Sequence, residues 1–406
     1  MTTESSGTLD DSTVDVDRRV ARPLRVLVVA PSLDILGGQA VQAARLMRRL
    51  QDERSVEVGF LPINPRLPGA LGNLQSIKYV RTLVTSLWFV AALLARVRRY
   101  DVIHIFSASY FSFVLAPTPA LLIAKVFGRR TVLNYHSAEA SDHLTRWRSA
   151  IWVVGLSDAI AVPSEYLVHV FRHFGLRAHA IANIVEAEAF KFRERVPLRP
   201  VFLSNRNLES HYGVDCVLRA FGNIQVLIPE AKLTVAGDGS QRRSLEQLAL
   251  ELGLQNVEFK GKVDHDKAFA LYDAADIFLN GSEIDNQPLS LLEAFACGLP
   301  VITTNAGGIP NLVDHSRTGL MVECGDAEAI AEQAIYLLRH PELSRFIANQ
   351  AREECRNYSW RAVRQQWLAL YDRLARGSGD GPSQESADVR GQNGTLSTPL
   401  PHSESA

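Results

Sequence analysis

Apolar and polar residues fall along this chain in two kinds of block, and the blocks alternate. Leu24 to Ala30 reads Leu-Arg-Val-Leu-Val-Val-Ala, a nearly continuous apolar run of the kind that forms a parallel strand covered on both faces. Gly37-Gly38 then opens a helix whose stripe is traced by Val41, Ala44, Leu46, Met47 and Leu50. The same order predicts strands at Val56 to Ile63, Asp101 to Phe106, Thr131 to His136 and Asp158 to Pro163, and a short last strand at His179 to Asn183. Helices are expected between them at Arg81 to Arg99, Phe111 to Phe127 and Ser164 to Phe174. Such alternation implies an α/β domain with a doubly wound sheet.

Glu186 to Pro200 is charged and contains proline, so it reads as a linker, and the pattern restarts beyond it. Strands are expected at Val201 to Asn205, Lys232 to Ala236, Asn256 to Val263, Asp276 to Asn280 and Val301 to Thr304. Helices are expected at Val214 to Leu227, Ser240 to Leu252, Asp266 to Ala275 and Leu289 to Cys297. A final helix, Trp360 to Leu374, carries Trp360, Val363, Trp367, Leu370 and Tyr371 in helical spacing, a stripe that must be packed against something. The division is then a tail at 1–22, a Rossmann-like domain at 23–185, a linker at 186–200, a second Rossmann-like domain at 201–358, a last helix at 359–376 and a tail at 377–406. Both tails lack periodic apolar positions and are expected to be disordered. Met1 to Val20 has no apolar core of the kind found in a signal peptide or anchor.

Composition narrows the function. With 43 Lys and Arg against 44 Asp and Glu, no basic excess points to nucleic acid. The four cysteines, Cys216, Cys297, Cys324 and Cys355, have no CxxC spacing and read as buried reduced thiols of a cytosolic protein. Leu83 to Ala95 is apolar but, at 13 residues, too short to span a bilayer. It predicts a buried helix covering the sheet; the alternative is docking of Arg96, Arg98 and Arg99 on an anionic membrane surface. Asp15-Val16-Asp17 looks like a DxD metal motif but lies in the tail, and the sequence shows no metal-ligand cluster.

The candidate chemistry centres on Ser282 to Pro300. This is an acidic loop after a strand, then a helix with Pro288 at its start and Gly298 and Pro300 at its end. A helix that begins where a buried strand stops directs free N–H groups and a positive dipole end into the crevice, which suits phosphate. Glu293 has apolar neighbours and needs a partner. Either Ser290 and Glu293 form a capping box, or Asp285 and Glu293, seven residues apart, hold hydroxyls of a sugar and a ribose. Arg206 follows a strand and either clamps phosphate bidentately or is a solvated loop residue. His136 ends a strand, where open α/β sheets place their ligands; His143 and Asp142 rank below it. Gly237-Asp238-Gly239 and Asn305 to Pro310 are glycine turns at the same kind of strand end. Neither Gly37-Gly38 nor Gly237-Asp238-Gly239 completes a dinucleotide fingerprint, so an oxidoreductase is disfavoured.

Two doubly wound domains carrying Gly37-Gly38, His136, Gly237-Asp238-Gly239 and the Ser282 to Val301 run resemble the GT-B glycosyltransferases of the retaining, glycogen-synthase-like group, family 4. Ala306 to Pro310 and Thr318-Gly319-Leu320 extend the likeness, which covers Leu24 to Leu374. The resemblance implies a last helix crossing back to the first domain and a nucleotide-sugar donor, UDP- or GDP-linked, without metal or resident cofactor. It implies Glu293 on the ribose, and Gly237, Asp238, Gly239 and Gly261 near the nucleotide. Asp285 and the backbone of Pro288, Leu289 and Ser290 would hold the hexose. Arg206 would meet the diphosphate, Gly37 and Gly38 would approach from the first domain, and His136 would contact the transferred sugar or orient the acceptor. The acceptor would be a glycan, lipid or small alcohol, and the enzyme would be cytoplasmic or peripheral to the inner face of a membrane. Two departures stand out: Asp285 where the family usually has Glu, and no lysine between Arg206 and Gly213. They motivate an alternative, a catalytically weak relative that binds a nucleotide sugar or glycan as a scaffold.

Overall fold

The computed structural model describes residues 22–32, 37–65 and 78–377. Apart from Arg22 and Gly377, the expected tails, with Asp15 to Asp17, lie outside the described residues.

The first domain runs β1 (Leu24–Ala30), α1 (Gly38–Gln51), β2 (Val56–Pro62), α2 (Lys78–Arg96), β3 (Val102–Ser107), α3 (Tyr110–Leu115), α4 (Pro117–Val126), β4 (Arg130–Tyr135), α5 (Ala140–Arg146), α6 (Arg148–Gly155), β5 (Ala159–Val162), α7 (Glu165–His173) and β6 (His179–Ala180). Its six strands are parallel in the order β2-β1-β3-β4-β5-β6. The second domain runs β7 (Val201–Asn205), α8 (Val214–Leu227), β8 (Lys232–Ala236), α9 (Arg242–Glu251), β9 (Val257–Gly261), α10 (His265–Ala274), β10 (Ile277–Asn280), α11 (Leu289–Cys297), β11 (Val301–Thr304), β12 (Leu320–Val322), α12 (Ala327–Arg339) and α13 (Pro341–Glu354), followed by α14 (Trp360–Ala375). Its sheet is also six-stranded and parallel, in the order β12-β11-β10-β7-β8-β9.

The expected doubly wound architecture is present twice, with local differences. The helix expected over Phe111 to Phe127 is two helices, because Pro117 has no N–H to donate and starts a new helix after Ala116. The last strand of the first sheet holds only His179 and Ala180, and β4 stops at Tyr135, leaving His136 just past its end. α2 is not buried all round: Leu83, Leu87, Trp88 and Leu94 are exposed.

Strand order decides where ligands fit. In the second sheet β8 and β9 extend from one side of β7, and β10, β11 and β12 from the other. The loops after β7 and β10 therefore flank the point where the winding reverses, and there the carboxyl ends of an open sheet leave a crevice.

α14 returns to the first domain. Val363, Trp367, Leu370, Tyr371 and Leu374 are buried with Val26, Val28 and Ala30 of β1 and Val102 and Phe106 of β3. Arg364 and the indole N–H of Trp360 both reach the Glu53 carboxylate, at 2.5 and 3.2 Å. The chain thus crosses between domains twice, and the crossings touch: the Val185 N–H donates to the Tyr358 carbonyl at 2.8 Å. In the segment between the domains, Arg193 and Arg199 both bond the Asp276 carboxylate at 2.8 Å. Arg195 donates to the carbonyls of Tyr272, Ala275 and Cys297.

Candidate functional site

The site is built where β7 and β10 end. After β10, Ser282 to Gln287 form a loop, and Pro288, extended at φ −66° and ψ 123°, is the residue from which α11 starts. Proline fixes the entry angle, and the first-turn amides of Leu289 and Ser290 are left without helical partners. Gly298, at φ +76°, ends the helix in the left-handed region. Across the crevice Gly38 opens α1, and a Cβ there would lie 3.4 Å from the Leu289 side chain, so the N-termini of α1 and α11 face each other.

Arg206, just past β7, is not a solvated loop residue. Its side chain is 8% exposed. It is ion-paired with Asp285, donates to Ser290 Oγ at 3.1 Å and stacks over the Tyr212 ring at 4.2 Å. Its buried Nε has no protein partner. Burial raises the Tyr212 hydroxyl pKa; the Arg206 charge opposes this, while Asp285 and Glu139 add to it. Glu139 lies three residues beyond His136, which brings the β4–α5 loop of the first domain opposite Tyr212.

Asp285 has two further contacts. Ser282 Oγ is 3.1 Å from its Oδ2, and the Asn286 N–H donates to Oδ1 at 2.8 Å. The glycine turn after β11 packs on the same loop, where a Cβ at Gly307 would lie 2.2 Å from the Asp285 carbonyl oxygen.

Glu293 is buried, 5% exposed, and is not a capping residue. Its carboxylate takes Arg45 Nη2 of α1 at 3.0 Å and the Tyr272 hydroxyl at 2.9 Å, while Ser290 lies inside the helix rather than at its cap. Tyr272 in turn accepts from Asn205 Nδ2 at 2.9 Å, and burial followed by the Glu293 charge holds its hydroxyl well above the usual pKa, so it stays a donor. Arg45 also donates to the Ile184 carbonyl at 2.8 Å. Sequence reasoning supplied the acid but missed Arg45 and Tyr272. The signal for Arg45 was its place among the apolar positions of the α1 stripe.

The domains meet around this acid loop. Asn183 donates through its N–H to Gln287 Oε1 at 2.6 Å and through its side chain to the Gln287 carbonyl at 3.1 Å; Ser164 bonds Asn286. Asn286 and Gln287, unassigned from sequence, are therefore interdomain contacts.

Gly237, Asp238, Gly239 and Gly261 lie together at the ends of β8 and β9. Gly237 is at φ +128°, and a Cβ would stand 1.9 Å from the Arg206 carbonyl oxygen. Its N–H donates to the Gly261 carbonyl at 2.9 Å, and the Leu208 N–H donates to the Asp238 carbonyl at 3.1 Å. Only glycine permits the two loops to lie this close, which fixes the position of Arg206.

His136 belongs to the opposite wall. Its ring stacks on Phe106 with centroids 5.1 Å apart, and Phe106 stacks on His104 at 5.0 Å. His136 Nε2 is buried without a protein partner, and burial lowers its pKa to about 4, so the ring is neutral at pH 7. His143 and Asp142 are engaged elsewhere: His143 Nδ1 lies 2.7 Å from the Tyr135 hydroxyl, its Nε2 is buried without a protein partner, and Asp142 pairs with Arg146 at 2.8 Å and with Tyr110.

Comparison with known proteins bears on the family and the fold. Residues 36–189 match the model of Glycosyltransferase Family 4, and residues 186–354 match that of Glycosyl transferases group 1, so together they take in both domains. A sulfoquinovosyl transferase of Arabidopsis thaliana is 28% identical over 312 residues, 70% of this chain and 59% of that protein. A GDP-mannose-dependent monoacylated alpha-(1-6)-phosphatidylinositol monomannoside mannosyltransferase of Corynebacterium glutamicum is 34% identical over 149 residues, 35% of this chain and 39% of that protein. The matches thus span about two fifths to three fifths of these relatives' own length. Among solved structures, HepE of Anabaena, in complex with UDP-glucose, superposes with a TM-score of 0.70 at 19% identity, over 86% of this chain and all of the other. That likeness is one of fold.

Proposed function

Because the chain belongs to the group 1, family 4 glycosyltransferases, with their GT-B fold, we propose that it transfers a hexose from a nucleotide sugar to a hydroxyl acceptor with retention of configuration. The observation that carries this reading is the placing of Arg206 and the N-terminus of α11 at the switch point of the second sheet, with Gly38 opposite.

Arg206 and the first-turn amides of Leu289 and Ser290 would bind the donor diphosphate, where fixed donors stabilise the charge that develops on the leaving group. Glu293, oriented by Arg45 and Tyr272, would take the ribose hydroxyls. Asp285 would hold the hexose and exchange its pairing with Arg206 as the diphosphate arrives. A neutral His136, with Nε2 unpartnered, suits contact with the transferred sugar or the acceptor. The departing phosphate oxygen would accept the acceptor's proton on the face from which it leaves. The named activities and donors of the relatives support a UDP- or GDP-linked sugar and a lipid, glycan or small-alcohol acceptor. The protein would work in the cytoplasm or at the inner face of a membrane.

A second reading rests on Tyr212. It stands immediately before Gly213, with no lysine between Arg206 and that glycine, and Arg206 is engaged by Asp285 and Tyr212. A diphosphate held by one arginine suits a binding subunit with little turnover. Thermal-shift titration with UDP-, GDP- and ADP-sugars, coupled to a donor-turnover assay, separates the two. A ligand at about 100 times its Kd stabilises by about 2.7 kcal/mol. Stabilisation with turnover, both lost in Arg206→Ala, is expected. Stabilisation without turnover on any acceptor class supports the binding subunit, and a flat panel overturns both readings.

A further inference from the structure

α2 is apolar on two sides, and one side is uncovered. Phe89, Leu93 and Val97 are buried in the first-domain core. Leu83, Leu87 and Leu94 fall within about 40° of one another around the helix axis and are 63%, 62% and 45% exposed, and Trp88, about 100° further round, is 40% exposed. The solvent face of a helix that covers a sheet is normally polar. The adjoining helices repeat the anomaly: Phe111 and Val114 of α3 and Leu122 and Val126 of α4 are exposed. α2 packs on α4, and the Arg98 guanidinium lies 4.4 Å over the Phe127 ring, so the helices form one surface.

The charge of this region is as uneven as its polarity. The whole chain is formally −1, yet between Glu57 and Glu139 there are nine Lys and Arg and one acid, Asp101. Asp101 is held by Arg22 at 3.0 Å and by the Arg25 N–H at 3.0 Å. Arg81 stands exposed near the start of the apolar stripe, and Arg98 and Arg99 are exposed just past its end.

We propose that this face seats the first domain on an anionic lipid bilayer. The apolar side chains of α2, α3 and α4 enter the boundary between headgroups and acyl chains, and Arg81, Arg98 and Arg99 meet lipid phosphates. α2 runs longer than the expected thirteen-residue apolar stretch and by length and composition could cross a membrane, but Phe89, Leu93 and Val97 tie it to the sheet, so it lies on the bilayer. A second copy of the chain fits the face less well, because an isologous contact would bring the same arginines against each other. α2 and α3 both start at the carboxyl ends of their strands, so one end of this face lies on the side on which the cleft opens. The proposal rests on the first-domain surface and is independent of the reading of the cleft.

Full-length protein is co-sedimented with phosphatidylcholine vesicles and with vesicles containing phosphatidylglycerol. Binding to the anionic vesicles is expected, weakened by salt. The Leu83→Glu/Leu87→Glu variant should lose it at least about tenfold with an unchanged melting temperature, and Arg98→Glu/Arg99→Glu should weaken it too. A blue shift of tryptophan emission on vesicle addition should disappear in Trp88→Phe. Absence of binding at low salt, or binding that Leu83→Glu/Leu87→Glu leaves intact, overturns the proposal. So does a dimer in sedimentation velocity that the same variant dissolves, since the face would then join copies of this chain.

Discussion

Glu293 and Arg45 form an ion pair from which water is excluded, each about 6% exposed or less in its side chain, and such pairs contribute through what happens when one partner goes. Glu293→Ala leaves the Arg45 guanidinium buried beside a vacated carboxylate position, and removing one partner of a buried pair costs about 3–5 kcal/mol. Glu293→Gln keeps an acceptor for Tyr272 and should cost less. Chemical denaturation of both variants checks the order, and equal losses would mean that the lost charge accounts for the whole cost and the retained acceptor for none of it. Loss of activity in Glu293→Ala is therefore interpretable only beside its stability. The buried histidines act in the opposite electrostatic sense. His104 and His143 are fully buried, and burial lowers their pKa to about 3 and about 4. Both lie below the ordinary value near 6.5, so the unfolded chain binds more protons than the folded one in the window between. Stability is then complete above about pH 6.5 and is lost as pH falls towards 4, by about 2 kcal/mol for each of the two at pH 5. Thermal unfolding between pH 7 and pH 5 should show the fall, and His104→Gln should flatten part of it.

At the scale of the element, α14 earns its place by packing rather than by propensity. Trp367 is 3% exposed, tilts against His104 at a centroid distance of 4.9 Å and stacks with Tyr371 at 5.9 Å. The Tyr371 hydroxyl lies 2.7 Å from His104 Nδ1, and His104 continues through Phe106 to His136. The last helix of the sequence thus buttresses the wall that holds a candidate site residue. Trp367→Ala should cost about 3–5 kcal/mol, the usual range for a buried large aromatic, measured by denaturant unfolding. A cost below about 1 kcal/mol would show that α14 contributes little to the first-domain core. The aromatic spacing made this helix readable from sequence, but its partner was not, because β1 lies more than three hundred residues away in the chain.

Across the whole molecule, what could be read in advance was what local pattern encodes. Apolar runs and glycine turns marked most strands and the two-domain repeat. Helices α12 and α13 were passed over although Ile330, Ala331, Ala334 and Leu337 carry a helical stripe. Candidate residues at strand ends were legible for the same reason, since a parallel strand announces its carboxyl end through the loop that follows. What local pattern could not encode was partnership: Glu293 needed a cation, and it came from α1; Arg206 needed a platform, and it came from Tyr212. Such choices are made when distant segments meet. The same holds for the seam where Val185 and Tyr358 bond each other. Because the two crossings of the chain meet at that one bond, a change at Val185 or Tyr358 bears on both connections between the domains at once.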